Sequence, residues 1–208
     1  MLRRLRCFPR QAMVLSLLTL AVLVSSCGKK ENEANEAGEE GTTPPAATSP
    51  QAAPAPDTAL TDAAIEGIVS AANTIDIQNG EMAQSTSKND AVKAFAAQMI
   101  ADHTSINSKA NDLAGKIGVM AKTNDTAREL TSAADAKRNG LKAVSGAAFD
   151  KAYIENEVAY HQSVIDLLDN TLIPRAQNSE LRSLLQGVGP LLAQHLTHAK
   201  KVQASLSR

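Results

Sequence analysis

The sequence contains no tryptophan, and only two tyrosines and three phenylalanines among its 208 residues. Sheets draw on aromatic and β-branched residues in alternation, so this composition argues against a sheet core. It argues for helices packed through Ala, Leu, Ile and Val. Cysteine is nearly absent too. Cys7 and Cys27 both precede the segment with apolar periodicity, so no disulfide staples the folded part. Charge of one sign is also scarce. Four of the 21 basic residues lie before Cys27, and the remaining chain carries 17 basic against 22 acidic residues, a net −5. Without a basic stripe to neutralise phosphates, nucleic acid is not an expected partner. A Gly-rich phosphate loop, a nucleophile elbow, a Cys cluster and a His-Glu-x-x-His motif are all missing.

The first 26 residues read as an address. Arg3, Arg4, Arg6 and Arg10 form a positive start, and Ala12 to Val24 is an apolar run too short to span a bilayer comfortably. It ends Val24-Ser25-Ser26-Cys27, which resembles the lipobox of bacterial lipoproteins. That resemblance implies cleavage before Cys27, lipidation of its thiol and an acyl anchor in the membrane. An ordinary secretory signal with an incidental Cys is the other reading. Gly28 follows the Cys, and by analogy with Gram-negative sorting this suggests the outer membrane, facing the periplasm. Residues 27–60 read as a tether, acidic in the first half and carrying Pro44, Pro45, Pro50, Pro54 and Pro56 in the second. Without apolar periodicity they offer nothing to offset ordering entropy. Their r.m.s. reach is about 30 Å.

Residues 61–206 read as one all-α domain with four long helices and a shorter crossover. The first helix is expected over about 61–87, capped by Thr61 or Asp62, with Ile65, Val69, Ala72, Asp76, Asn79 and Ala83 on one face. Glu81 falls on the opposite face. The second is expected from Asp90 to Gly118, with Asn89 as its cap and an inward stripe of Val92, Ala96, Met99, His103, Ile106, Ala110, Leu113 and Ile117. A crossover helix is expected from Asp125 or Thr126 to about Val144, with Gly146 ending it. The third long helix is expected over about 147–172, striped by Ile154, Val158, His161, Ile165, Leu168 and Leu172, and closed by Pro174. The fourth is expected over 179–206, striped by Leu181, Leu184, Val188, Leu192, His195, Ala199, Val202 and Leu206. Pro190 is expected to kink it and free a carbonyl near residue 186. His198 lies off to the side.

Depth singles out four of these residues. Across an antiparallel hairpin, residues equally far from the turn face one another. Asp76 and His103 have their midpoint at 89.5, in the Asn89-Asp90 turn, and His161 and His195 have theirs at Asn178. Each lies roughly 20–25 Å from its turn at 1.5 Å per residue. Side-by-side hairpins thus place Asp76, His103, His161 and His195 in one layer, with Glu157 one turn away. Buried polar groups need partners. Three uses fit: a metal site, a polar layer that fixes helix register, or acid–base catalysis. An imidazole-rich set favours Zn²⁺, Cu²⁺ or Fe over Mg²⁺ or Ca²⁺. Met99, one turn from His103, is a candidate soft ligand. Asp102 is adjacent to His103 and diverges from it by about 100°, so it orients that ring only indirectly.

Three stretches carry a family resemblance: Val92-Lys-Ala-Phe-Ala-Ala-Gln-Met-Ile-Ala-Asp-His103, Phe149-Asp-Lys-Ala-Tyr153 with His161 eight residues on, and Pro190-Leu-Leu-Ala-Gln-His-Leu196. Together with the first helix they resemble the ferritin-like envelope proteins grouped as domain of unknown function 4142. The resemblance implies a ferritin-like antiparallel four-helix bundle, usually exported, with no established activity. It implies an acidic residue at the position of Asp76 and His at those of His103, His161 and His195. Glu157 stands where the family usually has Met, and Tyr160 where it usually has Asp. Di-iron ferritin-like sites use Glu-x-x-His pairs. Here Ile100, Val158 and Leu192 stand three residues before the histidines, which disfavours a dinuclear iron centre. The reading leans away from an enzyme. It points to a lipid-anchored protein holding a single transition metal on Asp76, His103, His161 and His195, with Glu157 and Met99 as additional candidates.

Overall fold

A computed structural model describes residues 60–208, and all regular structure among them is helical. The readings placed on the signal segment, on Cys27 and on the tether up to residue 59 lie outside the described residues. Helix α1 spans Asp62–Thr86, α2 Asp90–Ile117, α3 Asp125–Leu141 and α4 Gly146–Leu167. A π-helical segment, Leu168–Leu172, and a short α5, Ile173–Arg175, carry α4 onward, and α6 spans Ser179–Leu206. No helix among the described residues is long and apolar enough to cross a membrane.

Local chemistry sets most of the boundaries. Thr61 Oγ1 accepts the Ala64 N–H, and the side-chain oxygens of Asn89, Asn124 and Asn178 accept the first N–H groups of α2, α3 and α6. Gly118 ends α2 in the left-handed region at φ 68°, where a side chain would be strained. Two expectations need correction. Gly146, at φ 57°, opens α4 rather than ending the crossover helix, which stops at Leu141. Pro174 does not close its helix. The wider π turn, with Ile173 N–H bonded to the Leu168 carbonyl, takes the chain past the proline to Arg175. Pro190 lies within α6, which runs uninterrupted as helix from Ser179 to Leu206.

Helix α1 packs on α2 along the hairpin, α4 packs on α6, and contacts of α2 with α6 and of α1 with α4 join the pairs. Gly80 lets α1 and α2 approach closely, because a Cβ there would sit 3.0 Å from the Ala96 carbonyl. On the other side of α1, the loop after α2 is fastened by the Lys122 N–H to the Ala63 carbonyl at 2.8 Å, and a Cβ on Gly67 would overlap the Lys122 carbonyl.

Two apolar clusters fill the interior. One contains Val92, Phe95, Met99, Phe149, Tyr153, Ile154 and Val202, and the other contains Ile65, Ile68, Leu168, Leu172, Leu181, Leu185 and Leu192. Along α1 the chain passes Ile68, Asp76 and Ala83. Along α2 it passes Met99, His103 and then half-buried Leu113, which packs on the second cluster. Along α4 it passes Ile154, His161 and Leu168, and along α6 Leu192, His195 and Ala199. On every long helix the polar residue therefore falls between the two clusters.

Candidate functional site

His103, His161 and His195 are each at most 2% exposed. Their ring centroids are 5.3 Å apart for His103 and His195, 5.5 Å for His161 and His195, and 5.8 Å for His103 and His161. The three rings thus form a nearly equilateral triangle contributed by α2, α4 and α6. One ligating atom from each lies within 4.8 Å of the others.

Each ring spends one nitrogen on a partner that can only accept. His103 Nδ1 lies 2.7 Å from Asn73 Oδ1, and that amide is oriented by its own Nδ2, which donates to the Val69 carbonyl at 2.9 Å. His161 Nδ1 lies 3.0 Å from the backbone carbonyl of Glu157. His195 Nε2 lies 2.8 Å from a carboxylate oxygen of Asp102. A neutral imidazole has one N–H and one lone pair, so each outer nitrogen carries the proton. The lone pairs then belong to His103 Nε2, His161 Nε2 and His195 Nδ1, and these three buried nitrogens have no hydrogen-bond partner among the described residues.

The rings are held neutral. Burial, reinforced by the neighbouring His161 and His195, pushes His103 down from 6.5 to about 2. Burial pushes His161 down to about 4 against the pull of the Glu157 carbonyl. His195 is lowered by burial too, opposed by Asp102.

Carboxyl groups flank the triangle. Asp76 Oδ2 approaches His103 Nε2 at 3.4 Å without hydrogen-bonding geometry, and Asp76 Oδ1 has no partner among the described residues. Glu157 is fully buried. Its Oε1 accepts from Asn79 Nδ2 at 3.2 Å, and its Oε2 lies 3.7 Å from His161 Nδ1. Burial raises Asp76 well above the usual carboxylate range, and the nearby Glu157 charge adds to this. Burial also raises Glu157 to about 7, offset in part by hydrogen bonds from Asp76 and Asn79. Burial thus favours the protonated form of both carboxyls. Asp76, Glu157 and His161 form a second convergent set, overlapping the first at His161.

The structure brings Asp76, His103, His161, His195 and Glu157 together. Met99, one turn from His103, is buried in the apolar cluster with Phe95 and Tyr153. The role expected for Asp102 is corrected, since it bonds His195 on α6 across the helix interface. Three contributors have no role in the sequence reading, and Tyr160 alone of them is named in it. Asn73 shares the inward face of α1 one turn before Asp76. Arg138 of α3 donates to Asn79 Oδ1 at 3.3 Å and thereby backs the Asn79–Glu157 contact. The Tyr160 hydroxyl donates to the Ala72 carbonyl at 3.1 Å and ties α4 to α1. An inward Asn one turn from an inward Asp was a usable signal. The Arg138 contact depends on where α3 lies, which no periodicity reveals.

These features define an all-helical protein with a buried imidazole and carboxyl layer between two apolar clusters. The chain belongs to the family described as domain of unknown function DUF4142, which it matches over residues 47–202. No curated protein and no solved structure matches it.

Proposed function

We propose that this is an exported, lipid-anchored protein with a ferritin-like four-helix bundle that binds a single transition metal ion on His103, His161 and His195. The observation that carries the reading is the pairing pattern of the three rings. Metal-binding histidines almost always donate their second N–H to a carboxylate, a backbone carbonyl or another fixed acceptor. Here the acceptors are Asp102, the Glu157 carbonyl and Asn73, and the three free lone pairs converge. Leaving each nitrogen unsatisfied costs about 1–3 kcal/mol. Three such losses are large against a typical domain stability of about 5–15 kcal/mol. A cation removes that cost. Metal–nitrogen bonds are about 2 Å long, so ligating atoms within 4.8 Å of one another suit one shared ion. Asp76, with its unpartnered oxygen, is the candidate fourth ligand, and Glu157 stands behind it. The neutral nitrogen set favours Zn²⁺, Cu²⁺ or Fe²⁺. Buffering, sensing or stress protection in the envelope are the roles this supports, with no reaction assigned.

The anchor reading rests on Val24-Ser25-Ser26-Cys27 behind a basic, apolar start. It places the domain at the outer membrane facing the periplasm, held by acyl chains on Cys27. Radiolabelled palmitate incorporation that disappears in Cys27→Ala supports the anchor, and incorporation unaffected by that change rejects it. A second reading keeps the layer as a register device in a non-enzymatic interaction module. The Arg138–Asn79–Glu157 chain favours it, since this hydrogen-bonded run joins α3, α1 and α4 without a ligand, leaving only Glu157 Oε2 without a partner among the described residues. Metal analysis of protein purified without a His tag separates the two readings. The metal reading expects about one bound ion per chain and a thermal shift with Zn²⁺, Cu²⁺ or Fe²⁺. Absence of both leaves the register module.

A further inference from the structure

The three histidines are each at most 2% exposed, so an ion reaches them only through an opening in the helical wall. The poorest helix-forming stretch of that wall is Gly187-Val188-Gly189-Pro190, inside α6. Glycine and proline are the two least favourable residues for a helix interior. Pro190 also offers no N–H to the Gln186 carbonyl, four residues earlier. Packing requires none of the three. Neither glycine has a positive φ. A Cβ on Gly187 would meet nothing within 4 Å, and one on Gly189 would make only an ordinary contact with Leu168 Cδ2 at 3.8 Å. Pro190 is exposed. The stretch therefore weakens α6 without serving the closed structure.

What lies behind it gives the weakness a use. Val188 is half-buried and forms part of the wall of a cavity of about 40 Å³. Asp76 and His103 lie on the same wall, and so do Leu168 and Leu172 of the π-helical segment. Two departures from a regular α-helix thus border one cavity, and such departures recur at functional sites. On either side of the stretch the helix is well fastened. Leu181 and Leu185 before it, and Leu192 and His195 after it, are buried. The Asp62 carboxylate accepts the Gln177 and Asn178 N–H groups at 2.7 and 2.9 Å. Opening is therefore confined to a few residues. We propose that residues 187–190 are a gate, whose local opening draws Val188 off the cavity, lets water in and lets a metal ion pass to His103 and Asp76. That a metal ion is what passes rests on the metal reading above. The gate itself does not.

The first arm of the test needs no metal. In the metal-free protein, amide hydrogen exchange, scaled to unfolded-chain rates, is expected to be about tenfold or more faster at Val188, Gly189, Leu191 and Leu192 than at Leu185 and Ala199 of the same helix. Gly187→Ala, Gly189→Ala and Pro190→Ala together restore an ordinary helix in space that is open or in easy contact. This triple variant is expected to slow the four amides about tenfold or more. Uniform protection along α6, or protection unchanged in the triple variant, overturns the gate. The second arm follows Co²⁺ binding to the untagged protein by stopped flow. The triple variant is expected to slow association and dissociation alike, each about tenfold, and to leave the affinity within about threefold of wild type, because the closed site is the same in both. Unchanged association overturns the stretch as the route to the layer. Failure of Co²⁺ to bind overturns the metal reading, and amide exchange then decides the gate alone.

Discussion

The two apolar clusters and the layer between them are built by opposite rules. Phe95, Ile154 and Leu181 are fully buried and carry no polar side-chain atom, and the clusters' exception is Tyr153, whose buried hydroxyl has no partner among the described residues. His103 lies about two helical turns from Phe95, His161 about two from Ile154 and His195 about four from Leu181. With Asp76 and Glu157 they are as deeply buried, and each has a polar atom without a partner among the described residues. Burying a large aliphatic or aromatic side chain stabilises the fold by about 1.5–3 kcal/mol, whereas an unsatisfied polar atom costs about 1–3 kcal/mol. The clusters therefore supply the stability that the layer consumes. Such a division of labour is expected of a site, because real proteins depart from packing rules where they function.

Substitutions on each side of this divide sharpen it. The largest effect is expected in a cluster, where Phe95→Ala should lower the unfolding free energy by about 3–5 kcal/mol in urea titrations. A loss below 1 kcal/mol would mean that the clusters do not carry the fold. The layer should show its strain through pH. Glu157 has its folded-state value raised to about 7, so its contribution to stability is full below about 4.5 and is lost as pH rises through 7. Gln has no such dependence. The advantage of Glu157→Gln over wild type should therefore grow by about 3 kcal/mol between pH 4.5 and pH 8. The imidazoles act with the opposite sign. His103 and His161 are depressed to about 2 and 4, so their contribution is full above 6.5 and is lost as pH falls. A pH-independent difference between Glu157→Gln and wild type would show that the carboxyl pair is not coupled to burial.

Smaller effects probe orientation and surface. Asp102→Asn keeps the shape but permits the wrong His195 tautomer, and should weaken metal binding by about 10- to 100-fold with little change in metal-free stability. Unchanged affinity would make Asp102 a bystander. The Lys116–Glu180 ion pair between α2 and α6 is 2.5 Å long but largely exposed. Glu180→Gln should change stability by less than about 1 kcal/mol, and less still in high salt.

The four histidine- and aspartate-bearing faces were legible because helical periodicity and hairpin depth are local quantities. Asn89 and Asn178 fixed both turns, and symmetric counting from them put Asp76 opposite His103 and His161 opposite His195. Relations between hairpins were not legible. Asp102 lies next to His103 in sequence, yet its hydrogen bond runs to His195, which follows from the packing of α2 on α6. Arg138 reaches Asn79 only because α3 packs along α1. The π turn was hidden for another reason. Pro174 signals a helix end in isolation, whereas in the folded chain burial of Leu168 and Leu172 keeps the helix going in a wider register.

The central claim is that the three convergent imidazole nitrogens await one metal ion. Its most direct test is a Co²⁺ titration of the untagged domain, followed in the visible region and compared with His103→Leu. The account predicts saturation at one equivalent with the intense bands of a low-coordinate nitrogen site. In His103→Leu it predicts loss of those bands, with metal-free stability within about 2 kcal/mol of wild type, because the gained apolar burial offsets the orphaned Asn73 amide. A wild-type protein that gives no saturable bands, or bands that survive in His103→Leu, contradicts it.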